Sequence, residues 1–244
     1  MSTVFGEVAD LYDEQRPGYP LEIAEVVLGY AGRPPATMAE VGAGTGKATA
    51  LFAGRGIAIT CVEPDPRMAE VLTARFPSVT VAAAPFERWT PPPGGVDLLT
   101  AALAWHWIEP VTRAQLAERA LAPGGTLALI GRRSVHEDAG LGAAIRATYA
   151  RHPPDAGERP PLPSWAVPEI REHTGLTDIT TWETAYATST AAADVLRSVR
   201  TLGPFLRRSP SVQRALLDDL RRTLEAYGAP IRTRVETAVV MARA

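Results

Sequence analysis

The sequence predicts an α/β fold, a doubly wound, mostly parallel seven-stranded sheet with a helical cap. Three observations predict it. Short apolar runs alternate with helical patterns through the first 130 residues, two further strand-like segments lie beyond residue 176, and an Arg-rich helical stretch separates those two. Apolar strands alternating with helices imply a parallel sheet covered on both faces. Right-handed crossovers make it doubly wound.

"TMAEV" (37–41) is the first strand, and "ATALFAGRG" (48–56) reads as a helix ending near Gly54 or Gly56. "IAITCVE" (57–63) is the second strand. "PRMAEVLTARF" (66–76) is a helix with Met68, Val71, Leu72 and Phe76 on one side. "VTVAA" (79–83) and "VDLLTAAL" (96–103) are the third and fourth strands, and the helix "TRAQLAERAL" (112–121) follows. "PGG" (123–125) turns the chain into the fifth strand, "TLALIG" (126–131). After Gly131 the texture changes. The proline-dense segment 150–168 reads as an irregular loop. "TDITTWETAYAT" (177–188) is a sixth strand, residues 191–228 are helical with breaks near Gly203, Pro204 and Pro210, and "TRVETAVVMARA" (233–244) closes the sheet. No internal repeat is visible.

Composition excludes several classes. With 46% apolar and 21% charged residues over 244 positions, the chain can bury one substantial core. No stretch approaches the roughly 18 consecutive apolar residues of a membrane helix. "MSTVFGEVAD" has no basic residue and does not read as a secretory signal. Cys61 is the single cysteine, which excludes an internal disulfide, suits a buried inert thiol and points to a reducing cytoplasm. The net charge of −2 is uneven: residues 196–234 carry nine arginines against Asp218, Asp219 and Glu225, or +6, leaving −8 elsewhere. No nucleic-acid motif accompanies those arginines. They cannot all share one helical face, so at least one from 197–208 is expected to border a pocket and favour an anionic ligand; a solvated helix face is the alternative.

"EVGAGTGKAT" (40–49) sets three glycines at alternate positions between the first strand and a helix. Such a turn brings bare N–H groups close to a ligand. A nucleoside-triphosphate loop needs G-x-x-x-x-G-K-[ST], but Val41 stands at the first glycine and Ala48 at the hydroxyl position. A dinucleotide turn needs G-x-G-x-x-G, and Lys47 stands at its third glycine. Glu63 ends the second strand 21 residues after Gly42, where an acid can take two ribose hydroxyls; a helix N-terminal acid is the plainer reading.

The G-x-G-x-G form after Glu40, together with "VEPDPRMAEVL" (62–72), "FERW" (86–89) and "LAPGGTLAL" (121–129), resembles class I S-adenosylmethionine-dependent methyltransferases. "VADLYDEQRPGYP" (8–20), "AWHWIEP" (104–110) and "ETAVVMARA" (236–244) resemble a narrower group, the trans-aconitate-methyltransferase-like small-molecule enzymes. The resemblance implies a Rossmann-like methyltransferase fold with S-adenosyl-L-methionine as cofactor, a small-molecule acceptor, and specialised metabolism as one setting. It also implies an organisation within one domain spanning 1–244. A lid and first helix occupy 1–35, the cofactor-binding half 36–131, cap insertions 132–176 and 189–230, and closing strands 177–188 and 231–244.

By the same resemblance, the backbone of Gly42, Ala43, Gly44 and Gly46 meets the methionyl carboxylate and Glu40 its amino group. Glu63 holds the ribose, with Pro64 against the adenine. Phe86 and the backbone before it bound the far face, and the Ala104 carbonyl takes the methionyl ammonium. Pro85 departs from the polar residue that many relatives carry there. His106 stands at the carboxyl edge of the fourth strand; a substrate-facing base and a packed cap are both open readings. Trp105 and Trp107, if extended, face one side opposite His106. Tyr12, Arg16 and Tyr19 belong to a segment that folds over the cofactor in relatives, Tyr19 closing the pocket, or else form a surface strap. No histidine has metal-ligand spacing, so no metal is expected. Two alternatives remain: a member of the fold that uses the cofactor for cyclisation or elimination, and a non-catalytic cofactor binder.

Overall fold

The computed structural model describes residues 4–153, 162–228 and 230–244. A 3-10 turn (Val4–Val8) leads into α1 (Ala9–Gln15) and α2 (Glu22–Ala31). Then come β1 (Thr37–Val41), α3 (Thr49–Phe52), β2 (Ala58–Val62), α4 (Pro66–Arg75), β3 (Thr80–Ala82), β4 (Val96–Ala102), α5 (Pro110–Ala120) and β5 (Leu121–His136). The remainder is α6 (Ala139–Ala150), α7 (Ala166–His173), β6 (Thr177–Thr190), α8 (Ala192–Val199), α9 (Gly203–Leu206), α10 (Pro210–Tyr227) and β7 (Ile231–Arg243). The seven strands form one sheet in the order β3-β2-β1-β4-β5-β7-β6. The pairs from β3 through β5 are parallel, and β7 is antiparallel to both β5 and β6. This is the doubly wound sheet that the sequence predicts.

Side-chain parity assigns the two faces. Ala39, Val41, Leu99, Leu127, Leu129 and Val240 pack with Ala117 of α5 and Ile170 of α7. Met38, Cys61, Leu98, Ala128, Ile130 and Val239 pack with α2 (Ile23, Val27), α3 (Phe52) and α4 (Leu72). Local signals place the helices: Asp65 accepts the Arg67 amide at 3.0 Å as N-cap of α4 with Pro66 at its first position, and Asp138 accepts from Leu141 at 2.7 Å ahead of α6. A smaller core joins α6, α8, α9 and α10 through Leu141, Val199, Phe205, Leu216 and Leu220, and rests on Ile231. The breaks expected at Gly203 and Pro210 separate α8, α9 and α10.

Three expectations need correction. The helix expected over 48–56 is the single turn α3, because glycines in the left-handed region hold the chain out of helix on both sides (Gly46 at φ +82°, Gly54 at +77°). The fifth strand runs past Gly131 to His136, pairing Arg132 with Thr237 and His136 with Thr233. The loop expected through 168 contains a 3-10 turn (Pro163–Trp165) and the start of α7; residues 154–161 lie outside the described residues.

Candidate active site

The strand order reverses between β1 and β4, and ligands of open α/β sheets bind outside the carboxyl ends of strands at such a switch. The glycine turn leaves β1 at this point. Gly42, Gly44 and Gly46 have φ of +64°, +57° and +82°, which other residues adopt at a cost. Their amides are engaged inside the protein: Gly42 donates to the Val62 carbonyl (2.8 Å), Gly44 to Glu63 Oε2 (2.8 Å) and Gly46 to the Ala43 carbonyl (2.9 Å). A Cβ at Gly46 would come within 2.6 Å of the Phe76 ring, so α4 packing also requires that glycine. A Cβ at Gly44 would meet only the Met68 methyl, at 3.5 Å.

Two acids flank the turn. Glu63, 6% exposed, also accepts the Asp65 amide on Oε1 at 2.9 Å. Burial pushes its pKa up, and its two amide bonds pull it back. Each oxygen keeps a lone pair. Pro64 beside it is half-buried. Glu40, 1% exposed, lies beneath the turn and accepts the Thr49 hydroxyl at 2.7 Å. Desolvation pushes its pKa to about 8 against that hydrogen bond, with the nearby Glu63 raising it further. Cys61 is buried, and its thiol is pushed up to about 12 mainly by burial, which makes it unreactive. Phe86 is buried in the core at 6.1 Å from the Trp89 ring, so the surface of this segment is formed by its neighbours.

Across the switch, β4 ends in a strained residue: Leu103 has φ +52°, and its amide donates to the Ile130 carbonyl at 2.9 Å. The Ala104 carbonyl then closes a one-turn 3-10 helix (Trp105–Trp107) by accepting the Trp107 amide at 2.9 Å. A 3-10 turn rotates about 120° per residue, so the two tryptophans do not share a side as an extended segment would require. Trp105 enters the core beneath Arg113, which pairs with Glu169. Trp107 faces the Phe5 ring at 5.7 Å and the Arg207 guanidinium at 5.2 Å. His106 is half-buried, with its ring 5.0 Å from that of Trp107.

The N-terminal segment bridges the turn and the cap. Asp13 pairs with Lys47 at 3.0 Å and with Arg75, while its carbonyl accepts from Lys47. Arg16 stacks over Tyr12 and donates to the Thr201 carbonyl at 2.9 Å; Glu14 pairs with Arg197. Arg132 donates to the Pro17 and Gly18 carbonyls, both at 2.9 Å, and stacks over Tyr19, whose phenol burial pushes well above its usual value. Arg132 escaped sequence reasoning. Its signal was position, one residue past Gly131, where the expected fifth strand ends.

Other concavities and clusters carry less chemistry. A hollow of about 320 Å³ lined by Leu28, Pro34, Pro35 and Ile57 lies at the opposite, amino edge of the strands, and its arginines are paired (Arg33 with Asp97, Arg55 with Glu25). Among the described residues, no group of three or more His, Cys, Asp or Glu could hold a metal ion, and no helix is long and apolar enough to cross a membrane.

A glycine turn and a strand-end acid thus stand together at the switch point of this sheet, the place where open α/β sheets bind nucleoside ligands. The chain belongs to the class I S-adenosylmethionine-dependent methyltransferases. Residues 39–129 match the family described as "Methyltransferase domain". The chain is 30% identical over 188 residues to trans-aconitate 2-methyltransferase of Rhizobium meliloti (strain 1021), covering 72% of each. It is 35% identical over 130 residues to the uncharacterized methyltransferase Rv3342 of Mycobacterium tuberculosis (strain ATCC 25618 / H37Rv), covering 53% of this chain and 52% of that protein, so the match spans about half that relative's length. A solved structure from Anaeromyxobacter dehalogenans shares the fold with a TM-score of 0.64 at 22% identity, over 93% of this chain and 97% of that one. Mycolic acid cyclopropane synthase CmaA1 does so with a TM-score of 0.52 at 15% identity, over 92% and 84%.

Proposed function

We propose that this protein transfers the methyl group of S-adenosyl-L-methionine to a small anionic molecule held between residues 8–20 and the cap. The observation that carries the reading is the placement of Glu63 and the glycine turn on neighbouring carboxyl ends of β2 and β1, facing residues 104–107 across the switch. The donor set fits the cofactor. Glu63 keeps lone pairs for both ribose hydroxyls, and the Ala104 carbonyl keeps one for an ammonium. The amides of Ala43 and Thr45, between the engaged glycines, take the carboxylate. Pro64 and Pro85 border the adenine, Phe86 anchors that segment from the core, and Glu40 steadies the turn from below through Thr49.

When bound, the cofactor supplies an already activated sulfonium methyl. What this chain must do is orient the acceptor in line, and orientation supplies roughly 7–11 kcal/mol. A carboxylate acceptor needs no base. For a protonated acceptor His106 is the candidate, worth about 10²–10⁴-fold. Tyr19, its phenol raised by burial, stays protonated at neutral pH and serves as a donor and a closing wall.

Mass spectrometry of the spent cofactor tests the reaction: S-adenosylhomocysteine marks methyl transfer, whereas methylthioadenosine marks attack on the other carbon and sinks the reading. Replacing Glu63 by Ala should weaken cofactor binding by about 1.5–3 kcal/mol, the range for a hydrogen bond to a charged group. Unchanged calorimetric affinity in a folded variant removes Glu63 from the site. Because residues 8–20 are tied to Lys47, Arg132 and Thr201, ligand should slow amide exchange there as well as at 40–47. Protection confined to 40–47 makes the segment a fixed strap.

A further inference from the structure

Arg16, Arg132 and Arg207 are half-buried, and none has a carboxylate partner among the described residues. That sets them apart. Arg113 is neutralised by Glu169, and buried Arg208 is satisfied by the carbonyls of His152 (3.0 and 2.7 Å) and Pro204. The Nε atoms of Arg16 and Arg207 are buried with no hydrogen-bond partner among the described residues. Both side chains converge on one stretch of the cap. Arg16 donates to the Thr201 carbonyl, and Arg207 Nη1 lies 3.4 Å from where a Cβ of Gly203 would stand, beside Phe5 (3.1 Å) and Trp107 (3.4 Å). Desolvation lowers the Arg16 pKa, and the positive charge of Arg132 lowers it further, so those two guanidinium groups feel each other. On the floor, Arg132 lies directly across the ladder from Thr237, whose buried hydroxyl also has no partner among the described residues.

A guanidinium removed from water without a counter-charge is unfavourable, and the like charges of Arg16 and Arg132 repel each other. A ligand oxyanion relieves both penalties. We infer that Arg16 and Arg207, backed by Arg132, form a recognition site for a carboxylate of the acceptor, one guanidinium arriving from the N-terminal segment and the other from the cap. The planar forks match a carboxylate through parallel hydrogen bonds, which an ammonium cannot reproduce. The anion thereby closes the two elements over residues 104–107, where the methyl group is to be delivered. The inference rests on the methyl-transfer reading and names the chemistry of its acceptor.

The test is calorimetric titration of the full chain, saturated with S-adenosylhomocysteine, with succinate, benzoate and propane-1,2,3-tricarboxylate and with the neutral methyl ester of each. At least one carboxylate should bind, more weakly as salt is added, and its ester should not. Arg16→Gln and Arg207→Gln should each weaken that carboxylate about tenfold or more while cofactor affinity holds. Arg16→Lys and Arg207→Lys, which keep the charge and spare the fold, should still lose affinity, and Arg222→Gln on the exposed face of α10 should not. Cofactor binding without any carboxylate binding, equal binding of acid and ester, or unchanged affinity in both Arg207 variants overturns the inference and leaves the methyltransferase reading standing. Failure to bind S-adenosylhomocysteine overturns the reading itself.

Discussion

Gly44→Val should abolish cofactor binding, by at least about 100-fold or roughly 2.7 kcal/mol, in a chain that still folds. A valine at φ +57° sits in a region costing a β-branched residue about 1–3 kcal/mol. Relaxing to negative φ would swing the amide away from Glu63 Oε2, so turn and acid would lose their register together. If the backbone holds instead, the branched side chain stands in the place that the proposed site gives to the methionyl group. The fold tolerates it because the added Cβ meets only the flexible Met68 methyl. Gly46→Ala is the contrast. Its Cβ would overlap the Phe76 ring at 2.6 Å, so that variant should lose thermal stability first. Calorimetry and melting curves on both variants check this. Tight binding by folded Gly44→Val would sink the argument.

Glu40→Gln should flatten the dependence of stability on pH. In the unfolded chain this carboxyl titrates near its ordinary value of 4.5; in the fold, desolvation holds it at about 8. Between those values the native state keeps a proton that the unfolded state has released. The stability is therefore fully present below about 4.5 and is lost as pH rises through about 8. At about 1.36 kcal/mol per unit, the loss is on the order of 5 kcal/mol. Glutamine keeps an acceptor for the Thr49 hydroxyl and has no proton to lose. Urea unfolding at pH 5 and pH 8 should show a large drop for the parent chain and a small one for the variant. Parallel drops in the two would mean that Glu40 is not the group responsible.

Much of the fold over residues 36–131 was legible because its signals are local. "TMAEV" became β1 residue for residue, since a central parallel strand is apolar on both faces and needs no distant partner to be recognised. The glycines and Glu63 were legible for the same reason: a left-handed turn and a strand-end acid are written into a few adjacent positions. The 3-10 turn at Trp105–Trp107 was not, because "AWHW" is equally compatible with an extended path. The choice is made by the Trp105 ring entering the core under Arg113.

By itself, then, the sequence determined the succession of the seven strands along the chain, the turn that leaves β1 and the acid that ends β2. Each depends on side chains a few residues apart. Only the tertiary structure decided that β5 continues through the mostly polar residues 132–136, because their strand is held by hydrogen bonds to β7, about 100 positions away. Only it decided which arginines lack a counter-charge. Arg197 finds Glu14 and Arg113 finds Glu169, while Arg16, Arg132 and Arg207 have no carboxylate partner among the described residues. Charge pairing is settled by distances of a few ångströms between elements remote in sequence, and no local pattern records those distances.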